Sequence, residues 1–183
     1  MSALKKIATS LPEVFVLEPR VFEDERGFFL ESYNQRAMAD AGISATFVQD
    51  NHSCSSRNVL RGLHYQVKHP QGKLVRVVEG EILDVAVDMR RSSANFGRWT
   101  GVRLSGENHR IFWIPAGFAH GFVVRSEKAH VLYKATDFYA PEHERTLAWN
   151  DPQVKINWEL KGEPIVSAKD RRGLAFSDAE SFE

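Results

Sequence analysis

Cysteine is nearly absent from this chain of 183 residues: Cys54 stands alone. No intrachain disulfide can form, so the disulfide-stapled secreted scaffolds are excluded and a reducing cytoplasm is the expected location. Charge of a single sign is lacking as well, because 24 Lys+Arg meet 24 Asp+Glu. Without a basic field to hold a phosphate backbone or an anionic lipid surface at long range, neither nucleic acid nor membrane is an expected partner. Long apolar runs are missing too. The longest uncharged one, Ile111 to Val124, is broken by Pro115, Gly117 and His120 and falls short of the ~18 residues a membrane span needs. At the amino terminus Lys5, Lys6, Ser10, Pro12 and Glu13 interrupt anything resembling the apolar core of a signal peptide. No linker, low-complexity tract or internal repeat divides the chain, so residues 1–183 are read as one domain, large enough to bury roughly 70% of its unfolded surface.

What is present is a period of two. It is clearest in KLVRVVEGEILDVAVDM, Lys73 to Met89, where alternating runs flank a turn at Glu79-Gly80. Leu83, Val85 and Val87 share one face; Ile82, Asp84, Ala86 and Asp88 share the other. Short runs of the same kind occur at Val14–Leu17, Phe28–Ser32, Phe47–Asn51, Asn58–Gln66, Trp99–Leu104, Ile111–Ile114, His120–Arg125 and His130–Thr136, with Gly, Pro and Asn between them. This spacing predicts an all-β sandwich or barrel. Only Asn34 to Ala41, with Ala37, Met38 and Ala41 at helical spacing before Gly42, predicts a short helix. The polar tail from Lys161 is read as a helix or a surface wrap.

Ionisable groups on apolar strand faces are the informative ones, because burying them costs free energy unless a partner or a function compensates. In LRGLHYQ, Leu60 to Gln66, a regular strand places His64 on one side and Arg61 on the other. In WIPAGFAHGF, Trp113 to Phe122, His120 alternates with Phe118 and Phe122. LYKAT, Leu132 to Thr136, sets Tyr133 between Val131 and Ala135, and QGKLVR, Gln71 to Arg76, opens a strand with Lys73. Each has an ordinary explanation: a satisfied core histidine, a packed tyrosine with its hydroxyl at the rim, a solvated lysine at a strand end. No metal is expected. The His-x-His pair of metal-binding barrels is absent after His64, His69 lies at the wrong spacing, and His52, His109, His130 and His143 stand in polar or turn contexts. Nor is there a G-x-S-x-G elbow or a Gly-rich phosphate loop, and Cys54 has no evident base beside it. What remains is a set of two histidines, a tyrosine, a lysine and carboxylates, which suits removal and return of a proton beside a carbonyl, without cofactor. A noncatalytic sugar-binding module and a metal-dependent isomerase are the competing classes.

Taken in order, LRGLHYQ, QGKLVR, WIPAGFAHGF, LYKAT and SAKD (Ser167 to Asp170), preceded by DERGFFLESYN (Asp24 to Asn34) and FVQDNHS (Phe47 to Ser53), resemble the signature of the dTDP-4-dehydrorhamnose 3,5-epimerase family from about Pro19 to Asp170. The resemblance implies a cupin-type jelly roll, a homodimer, and a dTDP-bound 4-keto-6-deoxy sugar as substrate. It implies His64 as general base, Asp170 as its orienting carboxylate and Tyr133 as the acid on the other face. Lys73, helped by His120 with Asp84 behind it, would hold the 4-keto oxygen. For the nucleotide it implies Arg26, Arg61 and Lys169 at the diphosphate, Tyr139 stacked on thymine, Gln49, Asp50 and Asn51 at base and sugar, and Glu31 and Glu144 as further contacts. An epimerase acting at one carbon only, or a ketoisomerase of another deoxysugar pathway, is the alternative within the same fold. For Arg61 and His64 to serve one ligand, the strand must bulge at Gly62 or two subunits must share a site.

Overall fold

The computed structural model describes residues 4–183, and among them almost all regular structure is β. In chain order the strands are β1 Lys5–Ala8, β2 Phe15–Glu18, β3 Val21–Asp24, β4 Gly27–Leu30, β5 Gln49–Ser56, β6 Leu60–Gln66 and β7 Lys73–Glu79. They continue with β8 Glu81–Asp88, β9 Trp99–Ser105, β10 Ile111–Ile114, β11 Phe118–Val124, β12 Lys128–Ala135 and β13 Glu144–Thr146. The helix α1 spans Gln35–Asp40, and the Asn34 side chain caps it by accepting from the backbone N–H groups of Arg36 and Ala37.

A six-stranded sheet in the order β1-β2-β10-β7-β12-β5 faces a five-stranded sheet in the order β13-β6-β11-β8-β9. The Glu79-Gly80 turn is a corner rather than a hairpin: β7 and β8, on either side of it, lie in different sheets. The two sheets form a jelly roll closed around the alternating inward side chains. Val75 and Val77 of β7, Ile82 and Ala86 of β8, and Phe118, Phe122 and Val124 of β11 interdigitate with Phe112, Ile114 and Val131 in the central core.

Both sheets are also covered outside, which is why β8 reads as apolar on both parities. Leu83, Val85 and Val87 pack under the carboxy-terminal segment with Val154, Trp158 and Phe176. The tail is therefore a wrap, tied down by isolated bridges at Val59–Ile165, Leu147–Leu174 and Arg90–Phe182. On the other sheet, Met38 of α1 and Ile43 cover Phe15, Leu17 and Trp113.

The polar strand β5 extends beyond the predicted Phe47–Asn51 run through DNHSCSS. It is an edge strand paired only to β12, so its backbone ladder needs no apolar alternation to hold it. The short β1, β3 and β13 carry too few apolar residues to have been legible. Among the described residues no helix is long and apolar enough to cross a membrane.

Candidate active site

At one end of the jelly roll the inward positions turn polar. His64 on β6 and His120 on β11 are direct cross-strand partners. Across the sandwich stand Lys73, at the start of β7, and Tyr133 on β12, the latter paired with Asn51 of β5. Lys73 is the opposite of a solvated strand end, being only 8% exposed.

The parity conflict at Arg61 and His64 is resolved by a bulge. On β11 one residue separates His120 from Phe122, whereas two residues, Gly62 and Leu63, separate their partners His64 and Arg61 on β6. The extra residue returns Arg61 to the His64 side, and both line the same cavity. Glycine is required on both strands there. A Cβ on Gly62, whose φ is +122°, would stand 2.6 Å from Gly121 Cα, and one on Gly121 would stand 2.6 Å from Arg61 O.

His64 Nε2 lies 2.6 Å from Asp170 Oδ1. In the neutral ring Nε2–H donates to the carboxylate, leaving Nδ1 as the basic nitrogen. Burial alone would raise the Asp170 pKa; the bond and charge of His64, with a bond from Ser167, outweigh it and hold the carboxyl below its ordinary value. Ser167 Oγ also accepts from the Asp170 backbone N–H at 3.0 Å, setting the short helical turn that presents the carboxylate. That role went unread in the sequence, although Ser three positions before Asp is a recognisable capping signal.

His120 repeats the arrangement deeper inside, with Nε2 at 2.6 Å from Asp84 Oδ1. Burial pushes its pKa down, more than the Asp84 carboxylate restores. A neutral His120 donating to Asp84 presents Nδ1 as an acceptor. The second Asp84 oxygen, Oδ2, is buried without a hydrogen-bond partner among the described residues. Lys73 acts on that carboxylate through its charge: burial lowers the Lys73 pKa to about 8, with Asp84 and Glu144 opposing the drop. Lys73 Nζ lies 3.4 Å from the His64 carbonyl. Burial raises the pKa of the Tyr133 phenol, keeping it protonated, and its ring stands edge-on to His120 at 6.4 Å between centroids.

Two adjoining hollows share His64, Lys73 and Tyr133 as a common wall. One, of about 420 Å³, is lined by Arg61, His120, Lys169 and Asp170. The other, of about 290 Å³, is lined by Gln49, Asn51, Gln66, Tyr139 and Glu144. Glu144 links their rims, accepting from Tyr139 Oη at 2.8 Å and from Lys169 Nζ. Those two bonds outweigh its burial and lower its pKa.

Three residues implied by the resemblance stand elsewhere in this chain. Asp50 alternates with Gln49 and Asn51 along β5, points to the other side of the sheet and pairs with Lys134 at 2.9 Å. Arg26 sits at the tip of the β3–β4 hairpin, highly exposed and paired with Asp24 at 2.5 Å. Glu31 follows that hairpin and accepts from Asn34 Nδ2 at 3.0 Å. The same hairpin exposes Phe22, Phe28 and Phe29.

Known proteins resemble this chain over nearly its whole length. The model of the dTDP-4-dehydrorhamnose 3,5-epimerase family matches residues 8–178. This chain belongs to that family. It is 62% identical over 180 residues to dTDP-4-dehydrorhamnose 3,5-epimerase of Pseudomonas aeruginosa, covering 98% of this chain and 99% of the relative. To the enzyme of the same name from Shigella flexneri it is 53% identical, covering 96% and 98%. The solved structure of a dTDP-6-deoxy-D-glucose-3,5-epimerase from Legionella pneumophila, in complex with dTDP-4-keto-L-rhamnose, superimposes with a TM-score of 0.95 at 48% identity, covering 97% and 95%. The fold is accordingly the cupin-type jelly roll of these isomerases.

Proposed function

We propose that this chain inverts carbons 3 and 5 of dTDP-4-dehydro-6-deoxy-D-glucose to give dTDP-4-dehydro-L-rhamnose, by removing and returning a proton beside the 4-keto group. The observation that carries the reading is the convergence of His64, backed by Asp170, with Tyr133 and the buried Lys73 on one cavity wall. Both carbons flank the same ketone, so a single enolate chemistry serves both. A proton leaves and a proton returns, which is redox-neutral and needs no cofactor. His64 Nδ1 takes the carbon-bound proton, and Asp170 stabilises the imidazolium so formed. Lys73 as an ammonium holds the oxygen as charge develops there; in this dry setting one well-placed cation is worth far more than in water. Neutral His120, its Nε2–H engaged by Asp84, supports Lys73 and does not itself donate to that oxygen. The Tyr133 phenol, still protonated at neutral pH, returns a proton to the opposite face.

Arg61 and Lys169 are the cations for the diphosphate, and Tyr139, Gln49 and Asn51 form the nucleoside end. Arg26 and Glu31 lie away from the cavity of their own protomer, on or beside an exposed aromatic hairpin. Their use in substrate binding fits a homodimer in which the hairpin of one subunit completes the site of the other. Asp50, on the far side of its sheet with Lys134, lies outside both hollows. A cytoplasmic enzyme of one domain, with no nucleic acid or membrane partner, agrees with the neutral composition.

The test is turnover in deuterium oxide. Deuterium is expected at both carbons, and label at only one would assign a single-carbon epimerase. Tyr133→Phe should keep exchange at the first carbon while losing most net inversion; equal loss of exchange and inversion would remove Tyr133 from the acid role.

A further inference from the structure

The segment that carries Tyr139 is held by side-chain amides instead of a strand ladder. Tyr139 N–H donates to Gln49 Oε1 at 2.9 Å and Ala140 N–H to Gln66 Oε1 at 2.8 Å. The Phe138 carbonyl accepts from Gln66 Nε2 at 3.2 Å, and the Asp137 carbonyl accepts from Gln71 Nε2 at 2.8 Å. The rings of the segment do little to anchor it, since Phe138 is 65% and Tyr139 52% exposed. Apart from the Tyr139 hydroxyl on Glu144, its position is therefore set by what its backbone bonds to.

Gln66 makes the greatest contribution. It is buried, and it donates also to the His69 carbonyl at 2.7 Å, so both ends of its amide are engaged. It stands two residues beyond His64 on β6, roughly 7 Å along a strand. Glu144, which holds the Tyr139 hydroxyl, is its cross-strand partner on β13. One strand thus carries the proposed base and the anchor of the proposed nucleoside platform at a fixed spacing.

We propose that Gln66, seconded by Gln71, is a positioning residue that ties the Tyr139 ring to the catalytic strand and so sets the distance between the nucleoside end and the reacting carbons. This rests on Tyr139 being the surface on which thymine stacks. Such a residue acts on binding and leaves the proton transfers to His64 and Tyr133.

The experiment is calorimetric titration of dTDP into wild type, Tyr139→Ala, Gln66→Met, the double variant and Gln71→Ala, with kcat and KM for each. Loss of a stacked base is expected to weaken dTDP about tenfold or more in Tyr139→Ala. Gln66→Met, which keeps the volume and removes the bonds, should weaken it about fivefold, with the loss in KM and little change in kcat. The double variant should bind no more weakly than Tyr139→Ala alone, because Gln66 acts through that ring. Additive losses, or wild-type affinity in Gln66→Met beside a weakened Tyr139→Ala, would overturn the proposal and leave the stacking reading intact. An unaffected Tyr139→Ala would overturn the stacking reading itself and the proposal with it. Should Gln66→Met fail to fold, Gln71→Ala decides: a raised KM at constant kcat supports the clamp, and an unchanged KM rejects it.

Discussion

His64 Nε2 and Asp170 Oδ1, from residues 106 positions apart in the chain, meet at 2.6 Å. The carboxylate selects the histidine tautomer whose Nδ1 is basic and compensates the charge the ring acquires. Asp170→Asn keeps the shape and removes that charge, so kcat should fall by about 10²- to 10⁴-fold, while His64→Asn should abolish deuterium exchange at both carbons. Substrate affinity measured in parallel should change little. A large loss of affinity with intact exchange would mean that the pair binds and does not catalyse.

Lys73 gives two pH dependences of definite sign. Its activity as an ammonium is lost as pH rises through its folded pKa of about 8, so kcat/KM should fall about tenfold per unit above that point in wild type. A flat profile to pH 10 would contradict the assigned role. Stability runs the other way. The folded state binds fewer protons than the unfolded state between about 8 and the ordinary 10.5, so wild type should gain about 3 kcal/mol relative to Lys73→Met across that window. Urea denaturation of both proteins at several pH values measures it.

Gly62→Ala should be among the most damaging small substitutions in the chain. The added methyl meets Gly121 Cα at 2.6 Å and His120 O at 2.7 Å, at a φ of +122° that an L side chain rarely adopts. A cost of roughly 2–4 kcal/mol follows from strain and forced strand separation, and surviving folded protein should have lost activity because His64 and Arg61 move together. Thermal unfolding and turnover at low temperature separate the two effects.

Arg26 tests the sharing of sites. If the hairpin serves the partner, Arg26→Ala and His64→Asn homodimers are each impaired, whereas a heterodimer retains one site with both residues. Co-refolding equal amounts should restore about a quarter of wild-type activity, since half of the dimers are mixed and each has one complete site. No recovery in verified heterodimers would confine Arg26 to its own chain or remove it from the site.

The alternation in Lys73 to Met89 and in Phe118 to Val124 was enough to group Asp84 with Ile82 and His120 with Phe118 and Phe122, and the fold turns both groups inward. That the two meet came only from the family resemblance, because it depends on the β8–β11 register, which pairs Phe122 with Asp84. Parity failed at Arg61, where the bulge at Gly62 that the sequence left open beside a shared site inserts a residue into β6. It also separates Asp50 from its neighbours Gln49 and Asn51, which a motif read as a continuous string does not reveal. Gln66 escaped notice for another reason: its partners are backbone groups near residue 138, and backbone atoms carry no sequence signature.

The sequence by itself determined the all-β class, the residues that share a face of each main strand and the residue types able to move a proton, because alternation and side-chain chemistry are local properties. Only the tertiary structure decided that Lys73 is buried, that Arg61 and His64 share a cavity, and that Asp170 stands behind His64. Those facts depend on strand register, on a close glycine approach between two strands, and on where a long carboxy-terminal wrap returns to the sheet, and no local pattern encodes these distances.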